Sequence, residues 1–367
     1  MNKVFLNRAI CLLIWVAIGC LCPPAANSQA GGDRSYAFLN LTWSGKAAAL
    51  GGEAISLVGS DASLVNHNPA LAAGWSSGTV SLGYTSYLAD IGYGHATAIF
   101  SAGGKSEISG GVKWLSYGSF IEADESGNIT GSFRAAEYAL LIAFSHTIDS
   151  MLTFAVSVKP VLSHLESYYS AGIAFDAGAL WQSDNRLLSA SILFRNFGLQ
   201  AITYNGGERE PLPFDIQAGF TGKLAHAPLR FTATVRHLNR LKVTHIYDTT
   251  ATAPYVGSAG GRGEGLAENV FRRVTAGVEF IPGDNLWLAA GYNHQRAREL
   301  GIDNSGVPAG LTWGFGVRVA GFSAGYSRAA WHPAGATNHF SLSFNAMGKG
   351  MPGRGEQRSS GNAELYH

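Results

Sequence analysis

The stretch Gly321-Phe322-Ser323-Ala324-Gly325 has the Gly-x-Ser-x-Gly spacing that places a nucleophilic serine on a sharp strand-to-helix turn in acyl-transfer enzymes. Here Ser323 opens a segment of alternating apolar and small residues with no helical pattern behind it, so its hydroxyl would have neither the turn nor a base. Gly103-Gly104-Lys105-Ser106 ends like a phosphate-binding loop, but the first glycine of that motif would fall where Ile99 stands, and the stretch reads as a turn. His67, His95, His332 and His339 show no i, i+4 pairing of the metal-ligand kind. These residues specify no catalytic site, no metal site and no cofactor.

The elements around them explain why. Lys3 and Arg8 precede an apolar run from Ala9 to Cys22, followed by Pro23-Pro24 and the small residues "AANSQA". This is the pattern of a secretory signal peptide over residues 1–30, cleaved between Ser28 and Ala30; a spanning helix would need ~20 apolar residues. Cys11, Cys20 and Cys22, all the cysteines of the chain, lie within it, so the mature protein is expected to carry no thiol. The 26 basic and 25 acidic residues nearly cancel, which excludes the basic footprint of a nucleic-acid binder.

Only 14% of residues are charged, where about 25% is usual, while glycine reaches 47 and aromatics 11%. No apolar run after the leader is long enough for a spanning helix. The remaining way to cross a bilayer with every backbone group satisfied is a closed β-barrel, with the cell outer membrane as its location.

A barrel requires short segments alternating apolar outward and polar or small inward. In Leu152–Lys159, Leu152, Phe154, Val156 and Val158 oppose Thr153, Ala155, Ser157 and Lys159; Arg230–Arg236, Thr312–Val319 and Phe340–Asn345 alternate likewise. Such segments recur fourteen times between Thr79 and Ala346. A soluble β-sandwich would also alternate, but it has no reason to sort its connections. Here every second connection is short ("AGGK", "TIDS", "SDN", "AHA", "PGDN", Ala320-Gly321), and most of the others are long, including Gly118–Phe133 and Leu238–Val270. We therefore expect an all-β transmembrane antiparallel barrel of about fourteen strands over residues 77–347, with a polar tail over 348–367. Charge on the lipid face costs about 2–4 kcal/mol at mid-membrane, so arginine at Phe154 is expected to be worse than at the inward Ser157.

The segment 31–76 is expected to form a plug below or inside the barrel, approached from the periplasmic side. It is rich in small residues, and Gly51, Gly52, Asp61, Asn68 and Pro69 carry its turn chemistry: Asp61 and Asn68 bond local amides, and Pro69 ends a turn. A periplasmic linker is the alternative, but a linker has no need of Ile55, Leu57, Leu64, Val65 and Leu71. Inward positions place Lys159, Arg195, Arg230, Arg236, Glu279 and Arg318 in the lumen, as a permeation path or as a paired network. Tyr247 and Tyr255, in the longest outer connection, are candidate partner contacts.

"AAALGGEAISLVGSDASLVNHNPALAAG", Ala47 to Gly74, resembles the N-terminal hatch of the long-chain fatty-acid transporter superfamily. With "GGDRSYAFLNL" and "WLSYGSFIEADESGNITGSFRAAEYAL", the chain is most similar within that superfamily to the PorQ-like barrels of the type IX secretion system. The resemblance runs from Gly31 to about Phe344 and leaves the polar tail uncovered. It implies an assembly role without a reaction of its own. A PorZ-like protein would be held at the surface with PorU-like and PorV-like partners, in contact with lipopolysaccharide. The superfamily's best-known activity implies the alternative, a plugged channel for uptake of hydrophobic small molecules.

Overall fold

The computed structural model describes residues 34–239, 272–300, 310–319, 321–332 and 335–348. The leader, the tail beyond Gly348, and Tyr247 and Tyr255 lie outside the described residues. The strands are β1 (Thr79–Ser86), β2 (Gly92–Gly103), β3 (Ser106–Ala123), β4 (Ile129–Thr147), β5 (Leu152–Leu165), β6 (Tyr168–Gln182) and β7 (Leu188–Ile202). They continue as β8 (Asp215–Lys223), β9 (Leu229–Val235), β10 (Val274–Phe280), β11 (Leu286–Asn293), β12 (Leu311–Val319), β13 (Phe322–His332) and β14 (Gly335–Asn345).

Each strand pairs with the next, and β1 closes on β14 from Thr79↔Asn345 to Ser86↔Asn338, giving a closed antiparallel barrel of fourteen strands. Closure leaves no unpaired edge around the wall, which the bilayer demands. Alternation follows the wall: Phe154, Val156 and Leu162 are exposed, whereas Thr153, Ala155, Ser157 and Lys159 are buried. Trp114 and Tyr138, paired across β3 and β4, end the apolar stripe that Phe144, Ile142 and Leu140 begin. The end carrying the short turns is the periplasmic one.

Three expectations need correction. Gly118–Phe133, read as a long loop, is mostly strand: Phe120, Ile121, Ile129, Thr130 and Phe133 favour extended backbone, which confines the turn to Asp124–Asn128. There Asp124 accepts from the amides of Ser126 and Asn128. Ser157 is not a tolerant position, because its hydroxyl donates to the buried Asp176; the lumen there is packed, so arginine would be costly at Ser157 as well as at Phe154.

The third correction concerns the hatch. It does not rise from the periplasmic mouth; its first described residues sit at the outer end. Ser35 donates to Glu210 of the connection after β7 (2.6 Å), and Tyr36 pairs with Ser170 near the outer end of β6 (2.6 Å). From there the chain descends through the lumen and reaches the β2–β3 turn end, where the Gly74 amide donates to Glu107. This path makes a topological prediction. In intact cells Arg34→Cys should react with a membrane-impermeant maleimide, whereas Gly348→Cys should react only after permeabilisation. The opposite pattern would invert the barrel.

Candidate functional site

The hatch is built from tight turns because its side chains are small. Ser44 caps the short helix α1 (Gly45–Ala49), its hydroxyl accepting from the Ala47 amide. Gly51 and Gly52 terminate it with φ of +95° and +113°, a conformation that side chains resist. The turn then locks to the wall: the Gly51 amide donates to Thr312 Oγ1 (3.0 Å), and Asn293 Nδ2 donates to the Gly51 carbonyl (3.0 Å).

Lower down, Asp61 caps the turn Ala62–Asn66, accepting from the Ser63 amide (2.8 Å). Asn68 accepts from the Ala70 amide (3.0 Å) and donates to the Ile55 carbonyl and to Ser191 of β7, both at 2.8 Å. Pro69 starts the turn Pro69–Ala72 instead of ending one, as suits a residue with fixed φ and no amide to satisfy. The apolar residues expected to separate plug from linker are buried: Leu57, Leu64 and Leu71 join Leu180 and Trp287 of the wall in one cluster.

Charge is organised around Glu53 of the hatch. Its Oε1 lies 3.1 Å from Arg195 Nη1 on β7, and its Oε2 accepts from His67 Nδ1 at 2.7 Å. The Nε2 of His67 accepts the amides of Trp43 and Ser44, so the ring proton sits on Nδ1 and the imidazole is neutral. Burial lowers the His67 pKa in the same sense. Burial would raise the Glu53 carboxyl, but the Arg195 guanidinium and His67 with its hydrogen bond, followed by Arg236, outweigh it and hold the group well below the usual carboxylate range.

Several other lumen charges are likewise matched, while Lys113 donates to the Asn66 carbonyl (2.9 Å). Arg230 donates to Glu279 (2.6 Å) and to Ser60 of the hatch (2.9 Å), while Lys46 of α1 pairs with the same Glu279 and lies 3.3 Å over the Trp287 ring. Lys159 meets Asp176 at 2.6 Å. Arg236 stands 3.9 Å from both Glu53 and Asp215, and Arg318 interacts electrostatically with Asp61 and Asp284. Five of the six lumen charges read from the sequence therefore form networks with acids and a lysine that alternation could not pair with them, Glu53, Lys46, Asp176 and Asp215, while Arg318 faces Asp61 and Asp284. His67, an isolated histidine in the sequence, is the strut between Glu53 and the hatch backbone. Its one local signal was its place in a segment otherwise made of small and apolar residues.

Below the hatch lies a cavity of about 490 Å³, lined by Val58 and Ala73 on one side and Lys223, Arg230, Ile281 and Asp284 on the other. The described structure is thus a closed, plugged β-barrel of outer-membrane type whose hatch is held to the wall by buried ion pairs.

No protein-family model matches the chain, and no curated protein is similar to it in sequence. Solved structures similar to it include the Pseudomonas putida toluene transporter TodX, 12% identical, covering 81% of this chain and 95% of that one with a TM-score of 0.47. The Ralstonia pickettii toluene transporter TbuX is also 12% identical, covering 83% and 97% with a TM-score of 0.47. A Pseudomonas aeruginosa FadL homologue is 11% identical, covering 83% and 98% with a TM-score of 0.43.

Proposed function

We propose that this protein is an outer-membrane platform of a type IX secretion system, a PorQ-like barrel that holds a PorZ-like protein at the surface with PorU-like and PorV-like partners. Its role is attachment, and the chemistry belongs to the partners. The observation that carries this reading is the filled lumen: most hatch residues between Tyr36 and Trp75 are buried, and the charges around Glu53 and Glu279 are matched across the hatch–wall boundary. A barrel so sealed works through its outer surface. In cells lacking the barrel, the PorZ-like protein should appear in the medium, and restoring the barrel should return it to the cell surface. A PorZ-like protein retained equally with and without the barrel would sink the reading.

One observation favours a second reading, uptake of hydrophobic small molecules. The cavity beneath the hatch combines Val58, Ala73 and Ile281 with water-facing charge, as an exit vestibule would. This reading predicts a barrel-dependent uptake of an apolar solute such as toluene, with surface retention of the PorZ-like protein unaffected.

A further inference from the structure

The β3–β4 pair rises beyond the membrane as a bare ribbon. These strands hold 18 and 19 residues, about twice the 8 of β1 or β11. Crossing the bilayer takes about 9–11 tilted residues, and the outward apolar stripe of β4 ends at Tyr138. Roughly half of each strand therefore stands in water.

The neighbours do not follow. β2 pairs with β3 only as far as Gly92↔Ser116, and β5 pairs with β4 only as far as Ala135↔Leu165. Among the described residues, Ser119–Ala123 and Ile129–Arg134 pair with each other alone, leaving both outer edges open.

Free edges are ordinarily blunted by lysine, proline or a covering element. Residues 117–135 contain neither lysine nor proline. They carry instead β-favouring residues, and Ile121 and Ile129 are 70% and 73% exposed with neither lipid nor core to cover them. Phe120 and Phe133 stack at 5.1 Å on one face, which stiffens the ribbon. Its tip is acidic, with Glu122, Asp124 and Glu125 against the single Arg134.

We infer that this ribbon is the partner-docking element of the barrel, and that it receives an extended, basic segment of a surface protein as an added β-strand. The inference rests on the docking role proposed above and places it in this ribbon. Main-chain bonding along an open edge supplies affinity, alternate apolar side chains meet Ile121 or Ile129, and lysine or arginine in the added strand answers the acidic tip.

The test uses the full-length protein in detergent micelles and a fluorescent ten-residue peptide of alternating lysine and valine. The peptide should bind. N-methylation of its valines, which removes one edge of amide donors but keeps the charge, should weaken binding at least tenfold. Exchanging lysine for glutamate should do the same. Replacing residues 118–134 by an Asn-Gly turn should abolish binding while leaving a heat-modifiable barrel. Should that variant not fold, Ile121→Lys combined with Ile129→Lys keeps the strands and should lower affinity at least tenfold. Unchanged binding to the shortened or lysine-bearing barrel, or indifference to N-methylation, overturns the inference. So does a wild-type dimer that becomes monomeric when the ribbon is shortened, since the edge would then belong to a second copy. Retention of the surface partner on cells carrying the shortened barrel would also overturn it while leaving the docking role intact; a partner never held by the wild-type barrel defeats the docking role itself.

Discussion

Gly291→Leu is expected to drive the hatch from the lumen while the fourteen-stranded wall stays assembled. A side chain at Gly291 would overlap the Gly51 nitrogen and the Leu50 carbonyl carbon of the hatch. These are backbone atoms, so no rotamer change relieves the conflict. Typical overpacking costs about 1–3 kcal/mol when side chains can adjust, and here the hatch backbone itself must move. The same segment is held close at Gly277, where an added Cβ would come 2.6 Å from Leu50 Cδ2, so sideways relief is blocked as well. The control is Gly283→Leu in a periplasmic turn, where an added Cβ meets nothing within 4 Å. Ala70, fully buried in the hatch, reports the outcome: Ala70→Cys should resist maleimide in the parent and in the control, and react in the Gly291→Leu background. Conductance across a planar bilayer should rise at least tenfold in that background. A protected Ala70→Cys and an unchanged conductance would show that the wall, and not the hatch, yields at this contact.

Glu53→Gln should produce the second large effect. Glutamine keeps the shape of the side chain and part of its bonding to Arg195 and His67, but removes the charge. Arg195, only 1% exposed, is then left without its carboxylate, and Arg236 with Asp215 alone. Removing one partner of a buried pair costs about 3–5 kcal/mol, because the remaining charge stays desolvated. The hatch should become protease-sensitive well below the temperature at which the barrel loses its heat-modifiable form. Arg195→Gln added to Glu53→Gln should recover part of the loss, since the uncompensated charge is gone. If the single variant matches the parent in hatch protection, or if the double variant is simply the sum of two losses, Glu53 is not the latch described here.

Much of this protein could be read in its sequence. Alternation such as Phe154/Val156 against Ala155/Ser157 reports which side of the wall each side chain faces, and that depends only on neighbours along one strand. The segregation of short from long connections is equally local, so the barrel followed from the sequence. Asp61 and Asn68 could be read as amide-bonding residues because their partners are Ser63 and Ala70, two positions away. The sequence also marked Lys159, Arg195, Arg230, Arg236, Glu279 and Arg318 as inward. What answers them was hidden: Arg195 reaches Glu53 across 142 residues of chain, and the site is made only when β7 comes round the closed wall and the hatch threads past it. The direction of that thread was hidden for the same reason, because nothing within residues 34–43 states that Glu210 and Ser170 wait at the outer mouth. Local periodicity determined which face each residue takes; closure of the barrel around the hatch decided which residues meet, since contact across a lumen depends on the whole circumference and on no single strand.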